Sequence, residues 1–112
     1  MALKIIWSAR ALDNFQNVIA YLEEDRGEQV IRTFVKRTEK IINIAAQHPE
    51  IFRIVSEKRQ IREAVITKHN LLIYKATDTH IQLLAIFDTR QHPRRSGFIS
   101  LHFSFAKYDL LF

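Results

Sequence analysis

Cysteine is absent from the 112 residues. That removes disulfides, thiolate zinc sites and thiol nucleophiles, and it fits a reducing compartment. Glycine and proline occur only twice each, so the few present act as punctuation. No apolar run approaches the roughly 18 residues of a membrane span. The opening MALKIIW, with one lysine and a short apolar run, is too brief for a secretory signal. The expectation is a chain without a signal peptide or a membrane span.

The common catalytic signatures are missing too. There is no phosphate loop, dinucleotide fingerprint, HExxH pair or serine elbow. His48, His69, His80, His92 and His102 fall at predicted element ends or in the tail, at no metal-ligand spacing. Glu23, Glu24 and Asp25 are adjacent at a helix end, where neighbours point to different sides, so they read as a solvated terminus. No metal and no cofactor are expected.

What is present is positive charge in one half. Residues 1–50 carry seven Lys/Arg against seven Asp/Glu, and residues 51–112 carry ten against five, so the whole net +5 belongs to the second half. Such asymmetry points to an anionic partner, either a phosphate backbone or an acidic protein segment. The densest group is in IFDTRQHPRRSGF, where Arg90, Arg94 and Arg95 follow an apolar run with only Asp88 nearby to balance them. Guanidinium groups this close repel one another unless something acidic is bound. Arg53, Lys58, Arg59 and Arg62 form a looser second group.

The hydrophobic spacing predicts an α+β fold. ALKIIW reads as a strand, and Ser8 then caps a helix over 9–25 with Leu12, Phe15, Ile19 and Leu22 on one face. Gly27 turns the chain into a second helix reaching Gln47, with Val30, Phe34, Ile41 and Ala45 on a face and Ile31, Val35, Thr38 and Ile42 beside it. His48-Pro49 closes that helix, and the short connection predicts an antiparallel hairpin. IFRIV is a short extended piece. IREAVIT (61–67), NLLIYKA (70–76) and HIQLLAIF (80–87) follow as a three-stranded antiparallel meander packed against the helices, with the N-terminal strand at an edge or beside the last one.

In that meander 61–67 and 80–87 run parallel, so Arg62 and Arg90 belong to opposite sheet ends. Arg53, Lys58 or Arg59 would be left to face Arg90 across the 52–60 loop. Residues 1–95 make one domain. The remaining 96–112 hold four of the eight phenylalanines and alternate Ile99, Leu101, Phe103 and Phe105 with Ser100, His102 and Ser104. That suits an extra C-terminal strand, an apolar extension packed on the sheet edge, on a second copy or under a partner.

Three words in this order, W-S-x-x-A at 7–11, NLLIY at 70–74 and FDTRQxP at 87–93, make the chain resemble the RelE/ParE superfamily of bacterial type II toxins over residues 3–93. The resemblance implies a small cytoplasmic toxin neutralised by a co-encoded antitoxin whose acidic or amphipathic C-terminal segment wraps its basic surface. A homodimer, or a heterotetramer with the antitoxin, is among the implied assemblies. It also implies one of two targets. ParE-like members poison DNA gyrase without established hydrolytic chemistry, whereas RelE-like members cleave messenger RNA on the ribosome.

Of the ribonuclease groups, the first lysine of the basic pair falls on Arg62 and the second on Ala64. The middle-strand arginine falls on Leu71 and the late arginine on Arg90. The late tyrosine falls near Ser96, with Tyr108 too far along to match. Cleaving RNA through its 2′-hydroxyl needs a base, an acid and positive charge on the phosphorus, and alanine and leucine supply none of them. Losing one such group costs about 10²–10³ in rate. The sequence therefore favours the ParE-like branch. Arg53, Lys58, Arg59, Arg62, Arg90, Arg94 and Arg95 are its target- or antitoxin-binding residues, with Arg90 alternatively pinned by Asp88 or a carboxylate of the helix hairpin. In the endonuclease alternative Arg62, Arg90 and His92 would carry the chemistry.

Overall fold

Ser8 begins the first helix with two bonds. Its oxygen accepts the Ala11 N–H at 3.0 Å, and its hydroxyl donates to the Leu84 carbonyl at 3.1 Å. A cap that is legible locally thus also fixes the helix to a strand 76 residues away. Ser8→Ala should lower the unfolding free energy by about 1 kcal/mol in urea titrations.

The computed structural model describes residues 2–25 and 27–89. Arg90, His92, Arg94, Arg95, the expected C-terminal strand and the extension 96–112 lie outside the described residues. The elements are β1 (Lys4–Trp7), α1 (Ala9–Asp25), α2 (Glu28–Gln47), β2 (Arg53–Ser56), β3 (Ile61–Thr67), β4 (Asn70–Ala76) and β5 (His80–Asp88). Gly27, at φ 93°, is the N-cap of α2 and occupies backbone space that L side chains rarely enter. At the other end of α2 the His48 N–H donates to the Ile44 carbonyl, and the backbone then turns extended ahead of Pro49.

The expected meander is the centre of a five-stranded sheet in the order β1-β5-β4-β3-β2. β1 lies parallel to β5, and the other neighbours are antiparallel. The short IFRIV piece supplies the fifth strand, β2, at the edge beside β3.

Both helices cover one face of this sheet. Ala11, Val18, Leu22, Phe34, Ile42 and Ala45 pack with Ala64, Ile66, Leu72, Tyr74, Ile81, Leu83 and Ile86. The helix faces agree with the spacing at Phe15, Ile19, Leu22, Phe34, Ile41 and Ala45 and depart from it at the first turn of each helix. Leu12 is 46% exposed and Val30 39%, whereas Ala11 is fully buried. α1 lies directly against β5, where the Asn14 side chain accepts the Ile86 N–H at 3.0 Å, so the small residue takes the closest approach. On α2 the residues expected beside the stripe are its centre: Thr38 and Ile42 are buried, and the Thr38 hydroxyl donates to the Phe34 carbonyl at 2.8 Å.

Candidate functional site

Successive strand residues point to opposite faces, so the register sorts the basic side chains. Arg53 pairs with Glu63, Glu63 with Ile73 and Ile73 with Ala85, which places all four on the face away from the helices. Ile54, Arg62 and Tyr74 make the adjacent row, on the helix-covered face. Arg53 and Arg62, grouped together by the sequence, are therefore separated by the sheet itself.

Arg62 is committed to the backbone. Its Nη1 donates to the Phe52 carbonyl at 2.9 Å and the Glu50 carbonyl at 3.2 Å. Tyr74, its cross-strand neighbour, donates its hydroxyl to the Pro49 carbonyl at 2.8 Å, and its ring meets Phe52 edge-on with centroids 6.3 Å apart. Together these two side chains hold the connector that leads from α2 into β2. With one guanidinium nitrogen bridging two carbonyls of the connector, Arg62 acts here as a structural brace.

Burial pushes the Tyr74 hydroxyl up from 10.0 to about 12, with the Arg62 charge pulling the other way. In the unfolded chain this phenol ionises near its ordinary value, so its contribution to stability is complete below pH 10. From about pH 10 to 12 the unfolded chain sheds a proton that the folded chain keeps, and stability falls as pH rises. Tyr74→Phe should flatten that alkaline limb relative to the native chain and, by losing the Pro49 bond, cost about 1 kcal/mol at neutral pH. Denaturant titrations at pH 7 and pH 11 check both.

On the opposite face Arg53 Nη1 meets Glu63 Oε1 at 2.6 Å, the arginine side chain 69% exposed and the glutamate 8%. Lys58 and Arg59 are exposed in the turn between β2 and β3, where Gln60 adopts a positive φ of 56° and the Arg59 N–H donates to the Ser56 hydroxyl. Arg53, Lys58 and Arg59 thus share the β2 edge, a strip able to meet an anionic strand or peptide.

The strand directions are as expected. Asp88 pairs with Asn70, and the Thr89 N–H donates to the His69 carbonyl, so β5 ends beside the β3–β4 turn. Lys58, Arg59 and Arg62 lie at the other end, so the 52–60 loop does not carry Lys58 or Arg59 round to where β5 stops.

The ribonuclease positions fare differently. Ala64 is 1% exposed and faces the helices, and Leu71 stands on the other face opposite Val65 and Phe87. His48, His69 and His80 are at separate places: after α2, in the β3–β4 turn and at the start of β5. No cluster of three or more metal-ligating side chains occurs among the described residues.

One feature went unread in the sequence. A cavity of about 310 Å³ opens between the helix hairpin and the β3–β4 turn, walled by Leu22, Val30 and Phe34 and rimmed by Thr33, Thr67, Lys68, His69 and Asn70. Asn70 is buried, and its Oδ1 accepts the Thr67 hydroxyl at 2.7 Å. The available signal was Val30, an apolar residue at the start of a helix that the core does not enclose.

With this geometry in place, the comparisons with known proteins agree on the fold. The model of the ParE toxin of the type II toxin-antitoxin system, parDE, matches residues 5–93. A chain of the chromosomal ParDE toxin-antitoxin system from P. aeruginosa is 13% identical with a TM-score of 0.66, the match covering 78% of this chain and 96% of that one. The YoeB dimer from Staphylococcus aureus is 16% identical at TM-score 0.57, covering 78% and 97%. The DinJ-YafQ toxin-antitoxin complex from E. coli contributes a chain 10% identical at TM-score 0.56, covering 81% and 97%. No curated protein sequence matches. The family model spans most of the chain and the five-stranded, two-helix architecture agrees with it: this protein belongs to the ParE toxin family of type II toxin-antitoxin systems, within the RelE/ParE superfamily.

Proposed function

We propose that this chain acts as a ParE-like toxin, docking on DNA gyrase rather than cleaving RNA, and that a cognate antitoxin with an acidic or amphipathic C-terminal segment neutralises it in the cytoplasm. The observation that carries the reading is the fate of the nuclease positions. Arg62 binds the Glu50 and Phe52 carbonyls through Nη1, Ala64 is enclosed under the helices, and Leu71 is apolar. An acid, a base and a phosphate-stabilising cation do not converge among the described residues.

The basic β2 edge, with Arg53, Lys58 and Arg59, gives an anionic partner a landing strip, and the cavity beside Val30 has room for an apolar side chain of the same partner. Arg90, Arg94 and Arg95 are proposed as further contacts. Their density in the sequence supports this, and they lie outside the described residues.

In a supercoiling assay with purified gyrase, the protein should inhibit supercoiling and accumulate cleaved DNA, and added antitoxin should relieve both effects. Full supercoiling with no trapped cleavage would overturn the reading.

A second reading, ribosome-dependent cleavage of messenger RNA, draws support from the breadth of the fold, which chains of the YoeB dimer and the DinJ-YafQ complex share over 97% of their length, at lower TM-scores than the ParDE chain. Fold alone does not divide these branches. In this reading Arg62, Arg90 and His92 would carry the chemistry, and primer extension on a translated message would show cuts in register with codons. Such cuts, with gyrase unaffected, would replace the first reading by the second.

A further inference from the structure

The cavity between the helix hairpin and the β3–β4 turn has two unlike sides. On the hairpin side Leu22, Val30 and Phe34 are apolar, with Thr33 the exception. Leu22 and Phe34 are core residues, and Val30, 39% exposed, carries the wall out to solvent. The turn side is polar, and no carboxylate lines the cavity among the described residues. Lys68 is exposed there, and Arg37, whose Nη1 donates to the Ile66 carbonyl at 3.4 Å, brings a second positive charge beside the turn. Asp88 stands opposite Asn70 in the register but is not part of the lining.

Asn70 supplies the observation that points to a ligand. Alternation along β4 sends its side chain to the helix side with Leu72 and Tyr74, where it lines the cavity. It is only 3% exposed. Thr67 satisfies one end of the carboxamide: its hydroxyl accepts the His69 N–H at 3.1 Å and donates to Asn70 Oδ1 at 2.7 Å. The other end, Nδ2, is buried and has no hydrogen-bond partner among the described residues. A buried donor without an acceptor is costly, and an acceptor brought by a ligand removes that cost.

We propose that this cavity binds a small amphipathic carboxylate. The carboxylate lies at the β3–β4 turn, where it accepts from Asn70 Nδ2 and meets the Lys68 ammonium, and the hydrocarbon tail crosses to Leu22, Val30 and Phe34. An anion suits the turn better than a cation, because the charged groups on that side are positive. The size sets the tail. A volume of about 310 Å³ is roughly twice the ~150 Å³ in which an apolar cavity holds benzene, which suits an acid of about eight carbons. In the toxin free of its partner that space is open to a small molecule, whichever target the toxin acts on.

Octanoate is the probe, titrated at millimolar concentration into the full-length isotope-labelled chain. The side-chain NH2 resonances of Asn70 and the methyl resonances of Leu22 and Val30 should shift along one saturating curve, while the amides of Arg32 and Glu39 stay in place. 1-Octanol, with the same tail and no charge, should bind about three-fold more weakly or worse. Lys68→Ala should weaken octanoate by about three-fold and leave octanol unchanged, a modest factor because the ammonium is exposed. Val30→Trp, or Thr33→Trp on the exposed rim should the first not fold, should fill the cavity and abolish both. Three results would overturn the proposal: no saturating shift at the Asn70 side chain of the native chain, equal affinity for octanoate and octanol there, or octanoate binding that survives the tryptophan.

Discussion

Replacing Arg53 with methionine should lower the unfolding free energy by about 2–3 kcal/mol, and adding Glu63→Leu to that variant should restore most of the loss. Glu63 is nearly buried, and Arg53 supplies its 2.6 Å partner; the other carboxylate oxygen has none among the described residues. Removing the arginine leaves a buried negative charge without compensation, the costly half of the asymmetry between breaking an ion pair and replacing it. The arginine side chain is largely exposed, which holds the effect below the 3–5 kcal/mol of a fully enclosed pair. With leucine at 63 no charge is left to solvate, and the side chain joins Ile61, Ile73 and Leu84 in an apolar cluster.

Denaturant titrations of the native chain, both single variants and the double variant make a complete cycle. A double variant no more stable than Arg53→Met would show that the glutamate is not the source of the loss. The cycle also bears on function. If Arg53 serves only Glu63, the double variant should match the native chain in the proposed gyrase assay, whereas if Arg53 touches the partner it should be weaker there.

Leu72→Ala should cost more, about 2–5 kcal/mol. Leu72 is fully buried in the middle strand of the sheet, between Ala64 on β3 and Ile86 on β5. The same residues lie under the helix hairpin. Removing its branched end deletes the transfer free energy of the buried methyls and leaves a space that strands paired on both sides close only in part. Leu12→Ala, at a position the spacing placed on the same core, should change stability by less than about 0.5 kcal/mol because that side chain is half in water. Urea unfolding of the two variants separates the observed helix face from the expected one by several-fold in the size of the effect.

The contrast between these two leucines shows where sequence reasoning holds and where it stops. Helix limits were legible because their causes are local. Ser8 can cap, Gly27 tolerates a positive φ, and the residue before Pro49 leaves the helical region. Strand limits followed from apolar runs bounded by TKHN and TDTH, and the parallel relation of β3 to β5 followed from the meander. That Ala11 rather than Leu12 enters the core in the first turn of α1 was not legible. Several apolar positions lie within one turn of one another, and only the strand the helix lands on chooses among them.

The basic residues repeat that division at the site. Alternation alone puts Arg62 and Glu63 on opposite sides of a strand, but it does not say which side the helices cover or who stands across from each. Register supplied both answers. It paired Arg53 with Glu63 and turned Arg62 toward the connector carbonyls, so two arginines that looked equivalent in the sequence have different neighbours.

By itself the sequence determined the elements, their order, the excess of positive charge in the second half and the resemblance to a toxin superfamily, because capping, chain stiffness and hydrophobic period act between residues close along the chain. The tertiary structure alone decided which sheet face Arg53 and Arg62 take and which acceptors each of them meets. A guanidinium's role depends on the acceptors that packing brings within about 3 Å of it, and those acceptors come from chain segments ten or more residues away.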